Sequence, residues 1–200
     1  MLIQLKHLLF GILICFPFLL SAQYLVLTPY GLRNIKDTSK TYVVLDSLGM
    51  DSIQLFKKAT NYIKETYMEN EMVYPVSTNL STIYKSIDNE FIRFHGWEPY
   101  LSKTPRRFLF KVDVTISTLY WIDLRFKNDR MKIEVKFNEM NTGRDVTLIQ
   151  NIGTAWNMGH EIYIWDKNLV LTDIKMKTDI ENFFNKKIIE IKKYIKNNDW

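Results

Sequence analysis

The chain has 200 residues, 46% of them hydrophobic and 24% charged, with a formal net charge of +5. That length supports one domain with its own core, and seven Gly and five Pro are too few for an extended disordered chain. Lys and Arg are interleaved with Asp and Glu almost everywhere, which argues against the one-sided basic patch of a nucleic-acid binder.

Lys6 and His7 precede the uncharged run Leu8 to Leu20, and Ser21, Ala22 and Gln23 follow. A basic start, an apolar stretch and a small residue at the cut site are the parts of a secretory signal. Residues 1–22 read as that signal, with the cut after Ala22. The mature chain is expected to be exported: periplasmic, outer-envelope associated or extracellular. It would meet a membrane only through the signal segment before cleavage. The rival reading is an uncleaved anchor, because Tyr24 to Leu27 extend the apolar run toward the length of a membrane helix. Ser21, Ala22 and Gln23 interrupt that run. Cys15, the only cysteine, lies inside the signal. The mature chain therefore has no means of forming a disulfide or a thiolate metal site.

Residues 23–40 read as a lead-in and 41–200 as a single α+β domain. Tyr42 to Asp46 is a β-branched run typical of a strand. After Gly49, Asp51 can cap a helix with Gln54 as its reciprocal partner. Ile53, Phe56, Ile63 and Tyr67 form the apolar stripe of that helix, widened by Leu55, Ala59 and Tyr62. Glu69 to Asn79 is polar and loop-like. Thr82 to Ile87 and Glu90 to His95 read as two strands joined by a two-residue Asp88-Asn89 turn, and Gly96 to Thr104 as a loop.

The strongest pattern follows. Phe108, Phe110, Val112, Val114, Ile116, Tyr120, Ile122, Leu124 and Phe126 are all even-numbered, and Lys111, Asp113, Thr115, Ser117, Asp123 and Arg125 lie between them. Such alternation predicts a sheet with one buried face. A single strand over that whole span would be roughly 60 Å long, so a sharp turn is expected near Thr115 to Thr118. Asn128-Asp129 makes the next hairpin. Met131, Ile133, Val135 and Phe137 then return on the buried face, with Lys132, Glu134 and Lys136 facing water. Residues 141–167 read as an irregular insertion, with a short strand or edge segment at His160 to Trp165. Thr172 or Asp173 opens a long helix to about Asn197, striped by Ile180, Phe184, Ile188, Ile191 and Ile195. Lysines crowd its later half, where they complement the helix dipole. The expected architecture is an antiparallel sheet with the early helix and the long C-terminal helix packed on one face.

From Gly31 to Asn141 the order of these features resembles the exported bacterial family called domain of unknown function 4468. The best-matching pieces are Tyr42 to Asp46, Phe91 to Gly96 and Leu124 to Val135. The resemblance implies a TBP-like fold, β-α-β(4)-α, and brings no catalytic residues. It also implies no nucleic-acid partner, since fold does not fix function.

No chemical signature stands out. His95 and His160 lack the partners of a metal site or general base. There is no nucleophile elbow and no phosphate loop, and no cofactor or metal is expected. Asp113, Asp123 and Glu134 share the polar face of the predicted sheet, where paired carboxylates could serve glycoside hydrolysis. Alternation already explains them as outward partners of Lys111, Arg125 and Lys132. Trp97, Tyr100, Trp156 and Trp165 sit in or near polar loops, where they can line a binding surface or plug the ends of the core. The expected function is a non-enzymatic binding or interaction module of the cell envelope. Its ligand would be an apolar small molecule, a glycan or an envelope protein. The alternative is an envelope hydrolase using the acidic residues.

Overall fold

The computed structural model describes residues 23–68, 83–87, 89–107, 111–141, 145–149 and 162–197. Residues 1–22, read above as a signal, the expected loop from Glu69 to Asn79, Trp156 and His160 lie outside them, as do the side chains of Phe108, Phe110, Val112, Asp113, Val114 and Phe137.

The fold is α+β. A seven-stranded sheet contains β3 (Tyr42–Asp46), β4 (Ile83–Ile87), β5 (Phe91–Arg107), β6 (Lys111–Lys127), β7 (Arg130–Asn141), β8 (Asp145–Ile149) and β9 (Ile162–Trp165). The order is β4-β5-β6-β7-β8-β9, and β3 pairs with the start of β7. All pairs are antiparallel except β8 with β9. Two helices, α1 (Ser52–Ile63) and α2 (Ile174–Lys196), pack on one face. A separate ribbon of β1 (Leu25–Thr28) and β2 (Gly31–Asn34) occupies the segment read as a lead-in.

The expected core alternation holds where side chains are described. Ile116, Tyr120, Ile122, Leu124 and Phe126 of β6 are buried, as are Met131, Ile133 and Val135 of β7. Burying those side chains against the helices supplies most of the drive to fold, at roughly 25 cal/mol per Å² of apolar surface. The helices answer with their own stripes. Asp51 caps α1 as expected: its Oδ1 accepts from Gln54 N at 2.8 Å, and Gln54 Oε1 accepts from Asp51 N at 3.2 Å. Leu55, Ala59, Tyr62 and Ile63 are buried. Ile53 was expected among them and is 59% exposed. It stands two residues before Leu55, about 200° around the helix axis, and so faces away from the sheet.

A π-helical turn, Lys64–Met68, follows α1. Such turns insert an extra residue and change the direction of a helix face. Here Tyr67 meets Phe94 at 5.1 Å between ring centroids, with its Oη 3.5 Å from that of Tyr120. From α2, Phe183 and Phe184 each close on Tyr120 at 5.5 Å. The α2 stripe Ile180, Phe184, Ile188, Ile191 and Ile195 is fully buried, and Asp173 is the N-cap, accepting from Met176 N at 2.9 Å.

The β1–β2 ribbon lies against α2, held by side chains that take the place of a neighbouring strand. Asn185 Oδ1 accepts from the backbone N–H groups of Tyr24 and Leu25 at 2.7 and 2.8 Å, and Asn185 Nδ2 donates to Leu25 O at 2.9 Å. Glu181 Oε1 accepts from Leu27 N at 2.7 Å and from Lys177 Nζ. Leu25 and Leu27 are buried.

Several expectations are corrected. No turn occurs near Thr115 to Thr118; β6 runs unbroken for 17 residues, and its first residue, Lys111, pairs with Arg107 of β5. The length argument assumed a straight strand. The register slips between Glu98 and Ser102 in β5, and at Asn138 in β7 between the partners of Leu119 and Tyr120, and bulges of this kind in its two neighbours bend the ribbon to which β6 belongs. The expected loop from Gly96 to Thr104 is part of β5, and the first of those slips absorbs Pro99, which cannot join a regular ladder. The Asp88-Asn89 turn has three residues, because Ile87 pairs with Phe91. Asn89 has φ 61°, a left-handed conformation that Asn tolerates. The Asn128-Asp129 hairpin is as expected, with Asp129 at φ 64°. The segment read as irregular contains β8, whose five residues are too short to show a period.

Candidate functional site

Among the described residues, no helix covers the other face of the sheet. Strand register places its side chains in rows. Arg93 stands opposite Asp123, Asp123 opposite Glu134, and Glu134 opposite Tyr42. The next row is His95, Trp121 and Lys136, and the one after it begins with Trp97 and Leu119. On the opposite flank lie Phe91, Arg125, Lys132 and Val44.

The middle row is ionic and closed on itself. Arg93 Nε and Nη2 donate to Asp123 Oδ1 and Oδ2, both at 2.6 Å, a bidentate fork. Lys136 Nζ lies 3.7 Å from Asp123 Oδ2 and 3.8 Å from Glu134 Oε1. Thr41 Oγ1 donates to Glu134 Oε1 at 2.6 Å. Asp123 was expected to face water beside Arg125. It is only 4% exposed, because Arg93 reaches across from β5 and covers it. Alternation predicts the face of a residue and not whether its neighbours bury it.

Cations also cover the aromatics of the flank. Arg125 lies over the Phe91 ring at 5.0 Å, and Lys132 over the Tyr42 ring at 3.7 Å. The other end of the face is aromatic. His95 meets Trp121 edge-on at 5.1 Å between centroids. His95 is buried, and that burial pushes its imidazole below the ordinary histidine pKa. It is therefore neutral at pH 7 and packs as an aromatic. Trp97, Leu119 and Trp121 are half-buried.

Of the residues singled out in the sequence, Trp97 lies on this aromatic end. Tyr100 lies in the β5 irregularity, 78% exposed, with its N–H donating to Glu98 Oε1 at 3.0 Å. Trp165 ends β9 and is 5% exposed, within the core. Trp156 is outside the described residues. The structure thus groups Trp97 with His95, Leu119 and Trp121, and separates it from Trp165. Trp121 and Leu119 had a signal: they are the apolar interruptions in the odd-numbered, otherwise polar set of β6.

Asp123 and Glu134 are brought side by side, and Asp113 lies outside the described side chains. Both described carboxylates are engaged by cations or a hydroxyl, which is what a structural ion cluster requires. Removing one partner of a mostly buried pair leaves an uncompensated charge. Arg93→Met is expected to lower stability by about 2 kcal/mol, less than for a fully buried pair because Arg93 is a third exposed and Lys136 stays. Arg93→Met with Asp123→Leu should recover most of that loss. Urea melts of the three variants check this; additive losses would mean that the pair is not coupled.

Among the described residues, no group of three His, Cys, Asp or Glu is placed to hold a metal ion. An open cleft of about 760 Å³ lies elsewhere, between the first turn of α1 and the two hairpin turns, lined by Ile53, Asn89, Phe126, Lys127, Asn128 and Arg130.

No family model matches the chain, and no curated protein matches it. Among solved structures it is similar to a DUF4468 family protein from Bacteroides ovatus ATCC 8483, at 15% identity and TM-score 0.46, over 79% of this chain and 85% of that one. It is also similar to a TBP-like protein from Parabacteroides distasonis ATCC 8503, at 13% identity and TM-score 0.43, over 79% of this chain and 92% of that one. These carry the family name and the fold name that the sequence resemblance puts forward.

Proposed function

We propose that the mature chain is an exported, non-enzymatic binding module of the cell envelope, and that its partner lies across the aromatic end of the sheet face opposite the helices. The observation that carries this reading is the placement of Trp97, Leu119 and Trp121 in adjacent register rows beside charges that already satisfy one another. Half-buried tryptophans with compensated charges around them have the character of a binding patch's centre. Export is supported by Lys6, the uncharged run that follows it and the small residues at 21 and 22.

The three candidate ligand classes differ in support. The space between sheet and helices is filled by Tyr67, Phe94, Tyr120, Phe183 and Phe184. An apolar small molecule would have to displace them. A glycan ring or an envelope protein can stack on a tryptophan strip without disturbing the core. Hydrolysis by Asp123 and Glu134 has less support, because their oxygens are taken up by Arg93, Lys136 and Thr41.

The test is retention of the purified chain on immobilised cell-wall glycan and on solubilised envelope proteins. Trp97→Ala and Trp121→Phe are each expected to weaken the retained interaction, the former by about tenfold, or ~1.4 kcal/mol. Unchanged retention in both variants would remove the face from consideration.

A further inference from the structure

Among the described residues, Gln23 stands first and is held only through its side chain. From Tyr24 onward the backbone is fixed to α2: the N–H groups of Tyr24 and Leu25 both donate to Asn185 Oδ1, and Leu25 O accepts from Asn185 Nδ2. The Tyr24 ring is anchored too, since Lys192 Nζ donates to its Oη at 3.0 Å and lies 5.7 Å from the ring centroid. Gln23 is exposed, and its side-chain amide makes one long bond, to Leu25 O at 3.4 Å. A cut after Ala22 would therefore leave an N-terminal glutamine at the surface, ahead of an anchored strand.

We infer that Gln23 is a modification site, and that the mature chain begins with pyroglutamate formed from it. This rests on the export reading above. Cleavage frees the α-amine of Gln23. That nitrogen attacks Cδ of the residue's own carboxamide, closing a five-membered lactam. The new C–N bond replaces the bond from Cδ to Nε2, and the departing nitrogen takes a proton from the amine and leaves as ammonia. Nothing is oxidised or reduced, and no co-reactant is consumed. The change is compatible with the fold because the 23–24 peptide bond is untouched, so the Tyr24 N–H keeps its bond to Asn185. It removes the terminal positive charge and leaves no free amine for an aminopeptidase, just ahead of a strand that the core needs in place.

The test is to export the full chain from a bacterial host, purify it, and determine the N-terminal peptide by mass spectrometry and Edman degradation. The expected peptide begins at position 23, is lighter by one ammonia than the glutamine form, and is blocked to Edman chemistry. Gln23→Ala should begin at the same position with a readable free amine. A wild-type peptide beginning at 23 with a free amine would overturn the cyclisation and leave the export reading standing. A peptide that still carries residues 1–22, or begins elsewhere, would overturn both.

Discussion

Asn185→Leu is expected to destabilise the protein by about 3 kcal/mol, seen as a lower urea midpoint with little change in slope. The amide of Asn185 makes four bonds: from Tyr24 N and Leu25 N to its Oδ1, and from its Nδ2 to Leu25 O and Glu181 O. Leucine has a similar volume and none of these groups. The N–H groups of Tyr24 and Leu25 would lose their acceptor, each at a cost of about 1–3 kcal/mol if it stayed buried, and Leu25 O would keep only the long bond from Gln23. The total is limited by an escape route: the ribbon can lift off α2 and rehydrate. Lifting off exposes Leu25 and Leu27, each only 1% exposed in the fold, at about 2 kcal/mol per side chain. Hydrogen exchange should show the amides of Tyr24 and Leu25 losing protection far more than those of β6. A loss under about 0.5 kcal/mol would mean that the clamp does not hold the ribbon.

Gly96→Ala is expected to cost about 2–3 kcal/mol although it adds one methyl group. Gly96 and Tyr120 are direct partners across β5 and β6, and the phenol end of the tyrosine occupies the space beside the glycine. A Cβ built on Gly96 would fall well inside contact distance of Tyr120 Oη and Cζ, and 2.9 Å from Cε2. The ring has little room to move, with Phe183 and Phe184 packed on it and Tyr67 Oη at its hydroxyl. The measurement that isolates the cause is a double-mutant cycle. In a Tyr120→Leu background the Gly96→Ala penalty should drop below about 1 kcal/mol. A penalty that stayed the same would place the strain in the backbone and not in the ring.

The core was legible because it repeats. The even-numbered positions of β6 and the stripe of α2 could be assigned from period alone, and the Asp51–Gln54 cap from two residues at the right spacing. What escaped was whatever depends on a partner far away in the sequence. The ribbon at 25–34 has little pattern of its own, because the groups that hold it belong to Glu181 and Asn185. The strand character of Gly96 to Thr104 is imposed by β6 against the local preference of Gly96 and Pro99. The candidate site was half legible. Trp97 stands out by residue type in a polar stretch and Trp121 does not, because their adjacency is a fact of register, which single-chain periodicity does not carry. Asp123 was assigned to the correct face with the wrong cation, for the same reason.

The ribbon also sets an order of events. Leu27 waits for a carboxylate 154 positions later, and Leu25 for an amide 160 positions later. Contacts across such separations carry a large loop-closure cost and are made late. The sheet and its helices can assemble from neighbours, and the earliest strand can pair with β2, but the amides on its outer edge have no acceptor from Glu181 or Asn185 until the last helix exists. The seating of its outer edge is therefore the latch of the folding reaction, and a chain interrupted before α2 would keep that edge of its leading ribbon unpaired and apolar, open to capture by another copy.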